Sequence, residues 1–584
     1  MSWNKTWKLI KSDVKRKTFS DGKELKFFSI LTTVLSPPVV AVILFRLQNY
    51  FYHNNLYIIS KLIAQLNIML FAVEIGSGCK AGEGLILGHA NGIVIHDQVI
   101  IGKNCTLMHQ CSIGIKYIND TPEDEQFAIL EDGVFVAPGA RIIGPGVIGK
   151  GSRIGMNSVL TGSFPARSVI VGVPARKIRK LEDGEDFTAE PIERRYNIRP
   201  SLSFAATLRL IKEDLKHRAY IDGKKFTRLY YIKSLLSPPA MAVFIFRWAS
   251  YFDRAFFKYP AKILTTVNII LLKTDIGSKA EIGGGFVIGH ANGVAINNQT
   301  KIGKKAVFFH HNSVAIGPRA GISPENDRVV IGDNFFAGGG ARILGNIEIG
   351  DDCTVAMNAV VNRSAPNGSV LAGIPAKNIK KAVLFEKVHQ TEIKPYPAIK
   401  KPTFLSLLST IKKDIDKRAE IEGKKGNLYY YIKVLINPPA MAVVLFRLAN
   451  YFVRNGIYFP GKILYIINNI LYTVEIAPGT TIGPGFVLAH ANGILIHEKT
   501  IIGKNCIMTL HNTITIGPRF GLDPENDRTV IGDNIFIGAG AKIIGNITLG
   551  NSVVIGENAV VTKSAPDGAV LVGVPAINKK RVAK

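Results

Sequence analysis

Residues 531–561 read IGDNIFIGAGAKIIGNITLGNSVVIGENAVV and carry an aliphatic residue at every sixth position, with glycine often following it. The six positions are Ile531, Ile537, Ile543, Leu549, Ile555 and Val561. A period of six fits neither an α-helix nor an open sheet. It predicts a solenoid whose coil has flat sides, each a short strand with one apolar residue pointing to a narrow axis.

The same period occurs twice more, about 200 residues apart. The second copy has Ile331, Ala337, Ile343, Ile349, Val355 and Val361, and the first has Leu130, Val136, Ile142, Ile148, Ile154 and Leu160. Eighteen positions therefore keep one register without a break. The fold class that they predict is mainly β, a parallel β-helix in each of three copies.

Other motifs repeat in step with this period. The histidine motif is Gly88–Gly92, Gly289–Gly293 and Ala489–Gly493, and its histidines lie 290 − 89 = 201 and 490 − 290 = 200 residues apart. The sequence therefore predicts three homologous repeats: repeat 1 (1–180), repeat 2 (202–381) and repeat 3 (403–584). The charged or proline-containing linkers between them are 181–201 and 382–402.

Each repeat is expected to open with helices. In repeat 2 the apolar spacing predicts them within Leu208–Ala219, Ala240–Phe252 and Ile263–Leu272. Residues 27–45 are uncharged, but Pro37-Pro38 interrupts them, and the equivalent stretches carry Lys233 and Lys433. A packed helical hairpin is therefore predicted in place of a membrane span, with peripheral membrane contact left open.

Charge and cysteine content restrict the partners. A net charge of +28 indicates acidic partners such as a phosphate-bearing cofactor or an anionic membrane, and no nucleic-acid module is present. The five cysteines show no paired spacing, which argues against disulfides and a metal site. Without a secretory signal in the sequence, we expect a cytoplasmic protein that contacts the membrane at most peripherally.

The hexapeptide period, the Gly-His-Ala-Asn-Gly motif and the closing Gly172–Ala175, Gly373–Ala376 and Gly573–Ala576 segments resemble the left-handed β-helix acyltransferases. The likeness is greatest to the serine O-acetyltransferases and their relatives in polysaccharide gene clusters. It implies acetyl-CoA as co-substrate, no metal, and active sites between neighbouring copies of a trimer. Three repeats in one chain would then form a monomeric pseudo-trimer with sites at the 1–2, 2–3 and 3–1 contacts.

The resemblance assigns the catalytic residues. The histidines match the family's general base, and a carboxylate fifteen residues before each one matches the family's orienting acid. These residues are His89, His290 and His490, with Glu74, Asp275 and Glu475. We expect each acid to pair with the histidine of its own repeat. His109, His310, His311 and His511, about twenty residues later, are expected on a solvated face more often than in the cleft.

Cofactor and acceptor residues follow from the same likeness. Three glycines match a segment that lies along the thioester in the family: Gly114, Gly317 and Gly517. Gly339 and Ala539 match a CoA-lining position, which is Pro138 in repeat 1. Arg176 and Lys377 could bind the CoA phosphates. Arg328 and Arg528 match an acceptor-binding arginine, although the histidine that accompanies it in the family is absent.

The predicted function is acetylation of L-serine by acetyl-CoA, as in cysteine biosynthesis. Acetylation of a sugar hydroxyl in surface polysaccharide synthesis is the alternative within the same class. An N-acyltransferase acting on a nucleotide sugar and a non-catalytic β-helix scaffold also remain open. The scaffold predicts that His290→Ala leaves cellular function unchanged.

Overall fold

A computed structural model describes residues 1–114, 127–182, 202–235, 237–315, 328–379, 401–435, 437–516 and 528–579. The chain forms two compact units, Met1–Ala376 and Lys377–Lys584. The first unit contains repeats 1 and 2 up to the end of their β-helices. The second contains repeat 3.

Four helices open each repeat. In repeat 1 they are α1 (Trp3–Ser20), α2 (Phe27–Val34), α3 (Pro37–His53) and α4 (Tyr57–Phe71). In repeat 2 they are α5 (Phe204–Ile221), α6 (Arg228–Leu235), α7 (Pro238–Arg254) and α8 (Lys258–Leu272). In repeat 3 they are α9 (Phe404–Ile421), α10 (Leu428–Leu435), α11 (Pro438–Arg454) and α12 (Tyr458–Tyr472). The three helices predicted in repeat 2 lie inside α5, α7 and α8.

The helix ends follow from local sequence. Ser2, Ser203 and Thr403 cap the first helix of each repeat, each accepting a hydrogen bond from the backbone N–H three residues later. The Pro-Pro pairs occupy the first turns of α3, α7 and α11, where no intrahelical N–H bond is lost.

Short parallel strands follow the helices and wind through three sheets in each repeat. The strands of repeat 1 are β1 (Val73–Ile75), β2 (Lys80–Ala81), β3 (Ile86–Leu87), β4 (Ile93–Ile95), β5 (Ile100–Ile101), β6 (Thr106–Leu107), β7 (Ser112–Gly114), β8 (Ala128–Leu130), β9 (Phe135–Val136), β10 (Arg141–Ile143), β11 (Gly146–Ile148), β12 (Arg153–Ile154), β13 (Val159–Leu160), β14 (Ser168–Gly172) and β15 (Ala175–Lys180). Their orders are β1-β4-β7-β10-β13, β11-β8-β5-β2 and β15-β14-β12-β9-β6-β3. Up to β13, every third strand thus lies on the same side of the coil. β14 then pairs with β12, and β15 pairs with β14 in antiparallel orientation.

Repeats 2 and 3 reproduce this arrangement. The strands of repeat 2 are β16 (Asp275–Ile276), β17 (Glu281–Ile282), β18 (Val287–Ile288), β19 (Ala295–Ile296), β20 (Lys301–Ile302), β21 (Val307–Phe308), β22 (Ser313–Ala315), β23 (Val329–Ile331), β24 (Phe336–Ala337), β25 (Arg342–Leu344), β26 (Ile347–Ile349), β27 (Thr354–Val355), β28 (Val360–Val361), β29 (Val370–Ala372) and β30 (Lys377–Asn378). Those of repeat 3 are β31 (Val474–Ile476), β32 (Thr481–Ile482), β33 (Val487–Leu488), β34 (Ile494–Ile496), β35 (Thr500–Ile502), β36 (Ile507–Met508), β37 (Thr513–Thr515), β38 (Thr529–Ile531), β39 (Phe536–Ile537), β40 (Lys542–Ile544), β41 (Thr548–Leu549), β42 (Val554–Ile555), β43 (Val560–Val561), β44 (Val570–Val572) and β45 (Ile577–Asn578). The predicted left-handed parallel β-helix preceded by short helices is therefore the observed fold.

The positions of the six-residue period line the axis of each coil. None of the eighteen is more than 3% exposed. Glycine occupies corners because adjacent coils approach closely there. A Cβ built on Gly532 would lie 2.7 Å from the backbone of Gly550, closer than any side chain tolerates.

A buried ion pair fastens the helices of each repeat to its first coil. In repeat 1 the Arg46 guanidinium donates to Asp13 at 2.8 Å and to the carbonyls of Ala81 and Gly82. Arg247 with Asp214 and Arg447 with Asp414 repeat these contacts. Since these coils carry the histidine motifs, the pair fixes the helices relative to the candidate site.

No single helix in the described part of the chain is long and apolar enough to cross a membrane. Two bent pairs reach the length together: Phe27–Val34 with Pro37–His53, bent by 74°, and Arg228–Ser234 with Pro238–Arg254, bent by 86°. The first of these pairs covers the stretch for which a packed helical hairpin was predicted. That prediction was wrong for α2, since the bend is 74° and Phe27 and Phe28 are exposed.

Candidate active site

One histidine–carboxylate pair joins repeats 1 and 2. His89 follows β3 at a corner of the coil, and its Nδ1 lies 2.7 Å from Oδ2 of Asp275 on β16. The side chains are 39% and 29% exposed, so a small molecule can reach the ring. When Nδ1–H donates to the carboxylate, Nε2 keeps its lone pair and can act as a general base.

The pairing corrects the expectation that each acid serves the histidine of its own repeat. One coil is 159 − 141 = 18 residues, or 93 − 73 = 20 at the motif, so a spacing of fifteen falls short of one turn. Asp275 lies on the first sheet of repeat 2. That sheet contacts the corner that follows the third sheet of repeat 1, where His89 lies. Glu74 is not the Nδ1 partner of His89.

His109 lies beneath His89 and is buried. The ring centroids are 5.1 Å apart and edge to face, and His109 Nε2 is 2.5 Å from the Ser313 hydroxyl. Burial holds the pKa of His109 well below its usual range, and the positive charges of His89 and Arg342 act in the same direction. His109 is therefore a neutral ring at neutral pH.

The expectation of a solvated face was wrong for all four later histidines. His109, His310, His311 and His511 are at most 3% exposed. Ser313 of repeat 2 contacts His109, and the backbone at Gly339 and Gly293 lies against the rings of His310 and His311.

Arg342 of repeat 2 connects this region to repeat 1. Its guanidinium donates to Gln110 Oε1 at 2.6 Å, to Asn157 Oδ1 at 3.2 Å and to the Ser313 hydroxyl. Burial lowers the pKa of Arg342 to about 9, with a smaller effect from Arg141. Because Gln110 and Asn157 belong to repeat 1, this network fixes the two coils in register.

Further contacts hold the two coils together. Gln110 Nε2 donates to the Gly293 carbonyl at 2.8 Å, and Asn91 Nδ2 donates to the Lys273 carbonyl at 2.6 Å. The Lys273 ammonium donates to the carbonyls of Met69, Leu70 and Ile270 at the ends of α4 and α8. Burial lowers the pKa of Lys273 to about 7.

A cavity of about 300 Å³ starts at His89 and follows the groove between the two repeats. Apolar side chains such as Met156, Val169 and Leu344 form most of its wall, while Arg153 and Arg179 line it on β12 and β15. From β3 to β15 the third sheet makes five strand steps, roughly 24 Å. The groove therefore suits a long, thin ligand with an anionic end.

The predicted cofactor glycines are only partly described. Gly114 ends β7 with open space beside it, whereas Gly317 and Gly517 lie outside the described residues. The strand register also corrects the alignment: Gly114 pairs with Ile143 as Ala315 pairs with Leu344 and Thr515 with Ile544. Ala315, which lines the cavity, is thus the counterpart of Gly114.

The other predicted CoA positions differ among the repeats. Pro138 lines the cavity. Gly339, its counterpart in repeat 2, covers the His310 ring so closely that a Cβ would lie 2.9 Å from it. Ala539 is buried in repeat 3.

The predicted basic residues do not line the described cavity. Arg176 and Lys377 are exposed on β15 and β30. A register shift at Val169 and Ile170 places Arg179 opposite Val169, so Arg179 lines the groove in place of Arg176. Nothing in the sequence marks that shift.

Arg328 and Arg528 directly follow stretches outside the described residues, which include Asp327 and Asp527. Their backbone N–H groups donate to Asn346 and Asn546 at 3.5 and 3.4 Å. Neither arginine is among the residues that line the described cavity.

The remaining predicted residues lie in repeats 2 and 3. The His290 ring lies 5.7 Å from the rings of Phe309 and His310. His490 follows β33 at the equivalent corner of repeat 3. Glu475 accepts a hydrogen bond from Tyr465 Oη at 2.8 Å, and burial together with this carboxylate raises the pKa of Tyr465 well above its usual value.

Residues 328–363 and 528–563 match the family described as bacterial transferase hexapeptide (six repeats). Serine acetyltransferase of Helicobacter pylori (strain 26695) is 34% identical over 140 residues, 24% of this chain and 80% of that protein. Serine acetyltransferase of Buchnera aphidicola is 31% identical over 178 residues, 30% of this chain and 67% of that protein.

A solved structure of Neisseria gonorrhoeae serine acetyltransferase is 26% identical, covers 30% of this chain and 68% of its own, and has a TM-score of 0.28. Each alignment thus spans about one repeat. The matched relatives confirm the expected fold and the expected enzyme class, an acyltransferase.

Proposed function

The chain belongs to the serine acetyltransferase family, and from that premise we propose that it transfers the acetyl group of acetyl-CoA to the hydroxyl of L-serine. The observation that carries this proposal is the 2.7 Å contact between His89 and Asp275 at one end of the groove. That contact sets a general base beside a cavity that is long enough for a thioester on an extended arm.

In the proposed reaction, His89 Nε2 takes the proton of the acceptor hydroxyl as the oxygen attacks the thioester carbonyl. A well-positioned general base accelerates such a reaction by roughly 10²–10⁴-fold. Asp275 stabilises the imidazolium that forms on His89. The tetrahedral intermediate then collapses, the C–S bond breaks, and the imidazolium returns its proton to the CoA thiolate. The backbone amide of Ala315, which lines the cavity, is the candidate donor to the oxyanion.

The neutral state of His109 supports this division of roles. A protonated ring 5.1 Å from His89 would oppose the charge that forms on His89 during proton transfer. Since burial keeps His109 uncharged, that repulsion is absent at neutral pH. His109 and Ser313 then act as positioning residues beneath the base.

Arg153 and Arg179 are the proposed contacts for the CoA phosphates. Both line the cavity on strands of the third sheet, distant in the coil order from β3, which precedes His89. Guanidinium groups bind phosphate through paired, charge-assisted hydrogen bonds. The apolar wall between the two ends would hold the pantetheine arm.

A second acceptor, a sugar hydroxyl, is favoured by one observation. Arg328 and Arg528 are followed by Val329 and Thr529, so the histidine that accompanies the acceptor-binding arginine in the family is missing. A neutral sugar acceptor has no carboxylate that would require this pair.

The experiment is release of free thiol from acetyl-CoA with L-serine as the sole acceptor, with O-acetylserine identified by mass spectrometry. An oligosaccharide acceptor forms the parallel arm. Release with serine, lost in the His89→Gln/His290→Gln/His490→Gln variant, is expected. Release with the oligosaccharide alone would overturn serine as the acceptor, and no release in either arm would overturn the enzymatic proposal.

A further inference from the structure

Exposed large apolar side chains are concentrated on the helices that precede the β-helices. In repeat 1, Phe27 and Phe28 on α2 are 74% and 73% exposed, and Ile58 and Leu62 on α4 are 78% and 61% exposed. Ile58, Leu62 and Leu66 follow one another at intervals of four and so form one stripe along α4. We name the exposed apolar side chains of α2 and α4 the helical face of repeat 1.

The other repeats keep this face with different residues. On α8 the counterparts of Ile58 and Leu62 are Tyr259 and Ile263, and on α12 they are Phe459 and Ile463, all exposed. The short helices corresponding to α2 expose Leu229 and Ile232 on α6 and Leu428 and Ile432 on α10. The exposed apolar face is therefore present in all three repeats, although the side chains that form it differ.

In the first unit the helical faces of repeats 1 and 2 adjoin. The Lys262 ammonium on α8 donates to the Thr32 carbonyl on α2 at 3.1 Å. The Lys273 ammonium joins the ends of α4 and α8. The two stripes therefore belong to neighbouring helices, and contiguous apolar surface of this kind on a water-soluble fold marks an interaction site.

Basic residues are interspersed among these apolar positions. Lys61, Lys262 and Lys462 each directly precede the second residue of the α4, α8 and α12 stripes, and Lys225, Arg228 and Lys233 surround Leu229 and Ile232. Apolar side chains edged by lysine and arginine are the composition of segments that lie in the headgroup region of anionic bilayers. Two copies of such a face would repel each other, which argues against self-association.

We propose that the adjoining helical faces of repeats 1 and 2 dock the protein on the surface of a bilayer that contains anionic lipid. The aromatic and aliphatic side chains enter the interface, and the basic side chains contact lipid phosphates. The proposal places the protein on the surface of the bilayer, because basic side chains interrupt the apolar stripes. The proposal concerns where the enzyme works and is independent of its acceptor.

The test is co-sedimentation of the full chain with vesicles of phosphatidylcholine and of phosphatidylcholine with phosphatidylglycerol, at low and high salt. Binding to the anionic vesicles that weakens with salt is expected. The triple variant Phe27→Ser/Phe28→Ser/Leu62→Ser should lower the partition coefficient by about tenfold or more. All three side chains are exposed, so the fold does not depend on them.

Two matched variants separate the contributions. Val147→Ser/Phe536→Ser/Val554→Ser removes three exposed apolar side chains from the β-helices and should leave binding unchanged. Lys225→Gln/Arg228→Gln/Lys233→Gln should weaken binding to the anionic vesicles by about tenfold or more.

Three results would overturn the proposal: no sedimentation with anionic vesicles, equal binding by the helical-face variant and the β-helix variant, or binding that ignores lipid charge. Light scattering provides the remaining discrimination. If the chain forms a dimer that the Phe27→Ser/Phe28→Ser/Leu62→Ser variant dissociates, and vesicles are not bound, the occupant is a second copy and the membrane assignment is wrong.

Discussion

The guanidinium of Arg342 donates to Gln110 Oε1 over 2.6 Å, although the two residues are 232 positions apart in the chain. This contact belongs to the buried network that joins repeats 1 and 2. The candidate catalytic pair crosses the same boundary. Its geometry therefore depends on how the two repeats are held together.

Replacing Arg342 by methionine should destabilise the first unit. The change removes three hydrogen bonds and leaves the buried Gln110 and Asn157 oxygens without this donor, a loss of about 3 kcal/mol. Thermal unfolding is expected to start several degrees lower, with reduced thiol release.

Two variants control for this effect. Arg342→Lys should be milder, because Lys542 occupies the equivalent position in repeat 3 and donates to His511 O and Thr513 Oγ1. Arg363→Met, at an exposed site, should be neutral. Equal stability of the Arg342→Met and Arg363→Met variants would show that the network does not hold the repeats.

Asp275→Asn should inactivate the site at His89. The asparagine cannot stabilise the imidazolium, so we expect kcat to fall by roughly 10²–10⁴-fold. The measurement uses the His290→Gln/His490→Gln background, in which His89 is the remaining candidate base.

Glu74→Gln in the same background is the matched control, because Glu74 is the equivalent residue of His89's own repeat. It should leave kcat within about twofold of its parent. A larger effect of Glu74→Gln than of Asp275→Asn would mean that each repeat supplies its own acid.

Arg179→Gln should raise the KM for acetyl-CoA by about tenfold, the effect of losing one charge-assisted hydrogen bond. Arg176→Gln, three residues earlier on β15, should have little effect, because Arg176 does not line the described cavity. Steady-state kinetics with acetyl-CoA and with its 3′-dephospho form would show which phosphate Arg179 contacts. A larger effect of Arg176→Gln would return the assignment to the residue predicted from sequence.

His109→Leu should make the stability of the protein less sensitive to acid. The pKa of the buried ring is below that of the unfolded chain, so the unfolded state binds more protons below about pH 6.5, and stability falls as pH decreases. The slope from this one group is about 1.4 kcal/mol per pH unit.

Leucine suits the site because Leu510 is the counterpart in repeat 3 and is buried. Urea unfolding between pH 5 and 8 would measure the difference between wild type and variant. If the two curves run parallel below pH 6.5, the ring is already protonated in the folded protein.

The axis-lining residues could be predicted because the six-residue period is local: each side of the coil is encoded within a few residues. The histidine was found for the same reason, since its motif recurs as a unit. The pairing of Asp275 with His89 could not be predicted, because a spacing along the chain does not show which repeat a side chain faces. Asp275 thus became visible as the partner of His89 only in three dimensions.

Arg342 carried a signal that sequence reasoning did not use. A basic residue precedes the same axis-lining position in each repeat: Arg141, Arg342 and Lys542. Because a buried charge needs hydrogen-bond partners, its recurrence in a buried strand indicates a buried network. Arg179 carried none, because the register shift at Val169 and Ile170 that turns it into the groove depends on the pairing of β14 with β15.

Lys273 occupies a position that is Ala72 in repeat 1 and Thr473 in repeat 3. In an assembly of identical subunits, every substitution occurs once in each subunit. A lysine at this position would therefore be buried in all of them. Fusion of the copies removes that constraint. It lets a single cation appear once, and it allows each groove to diverge toward its own ligand while the others are left as they were.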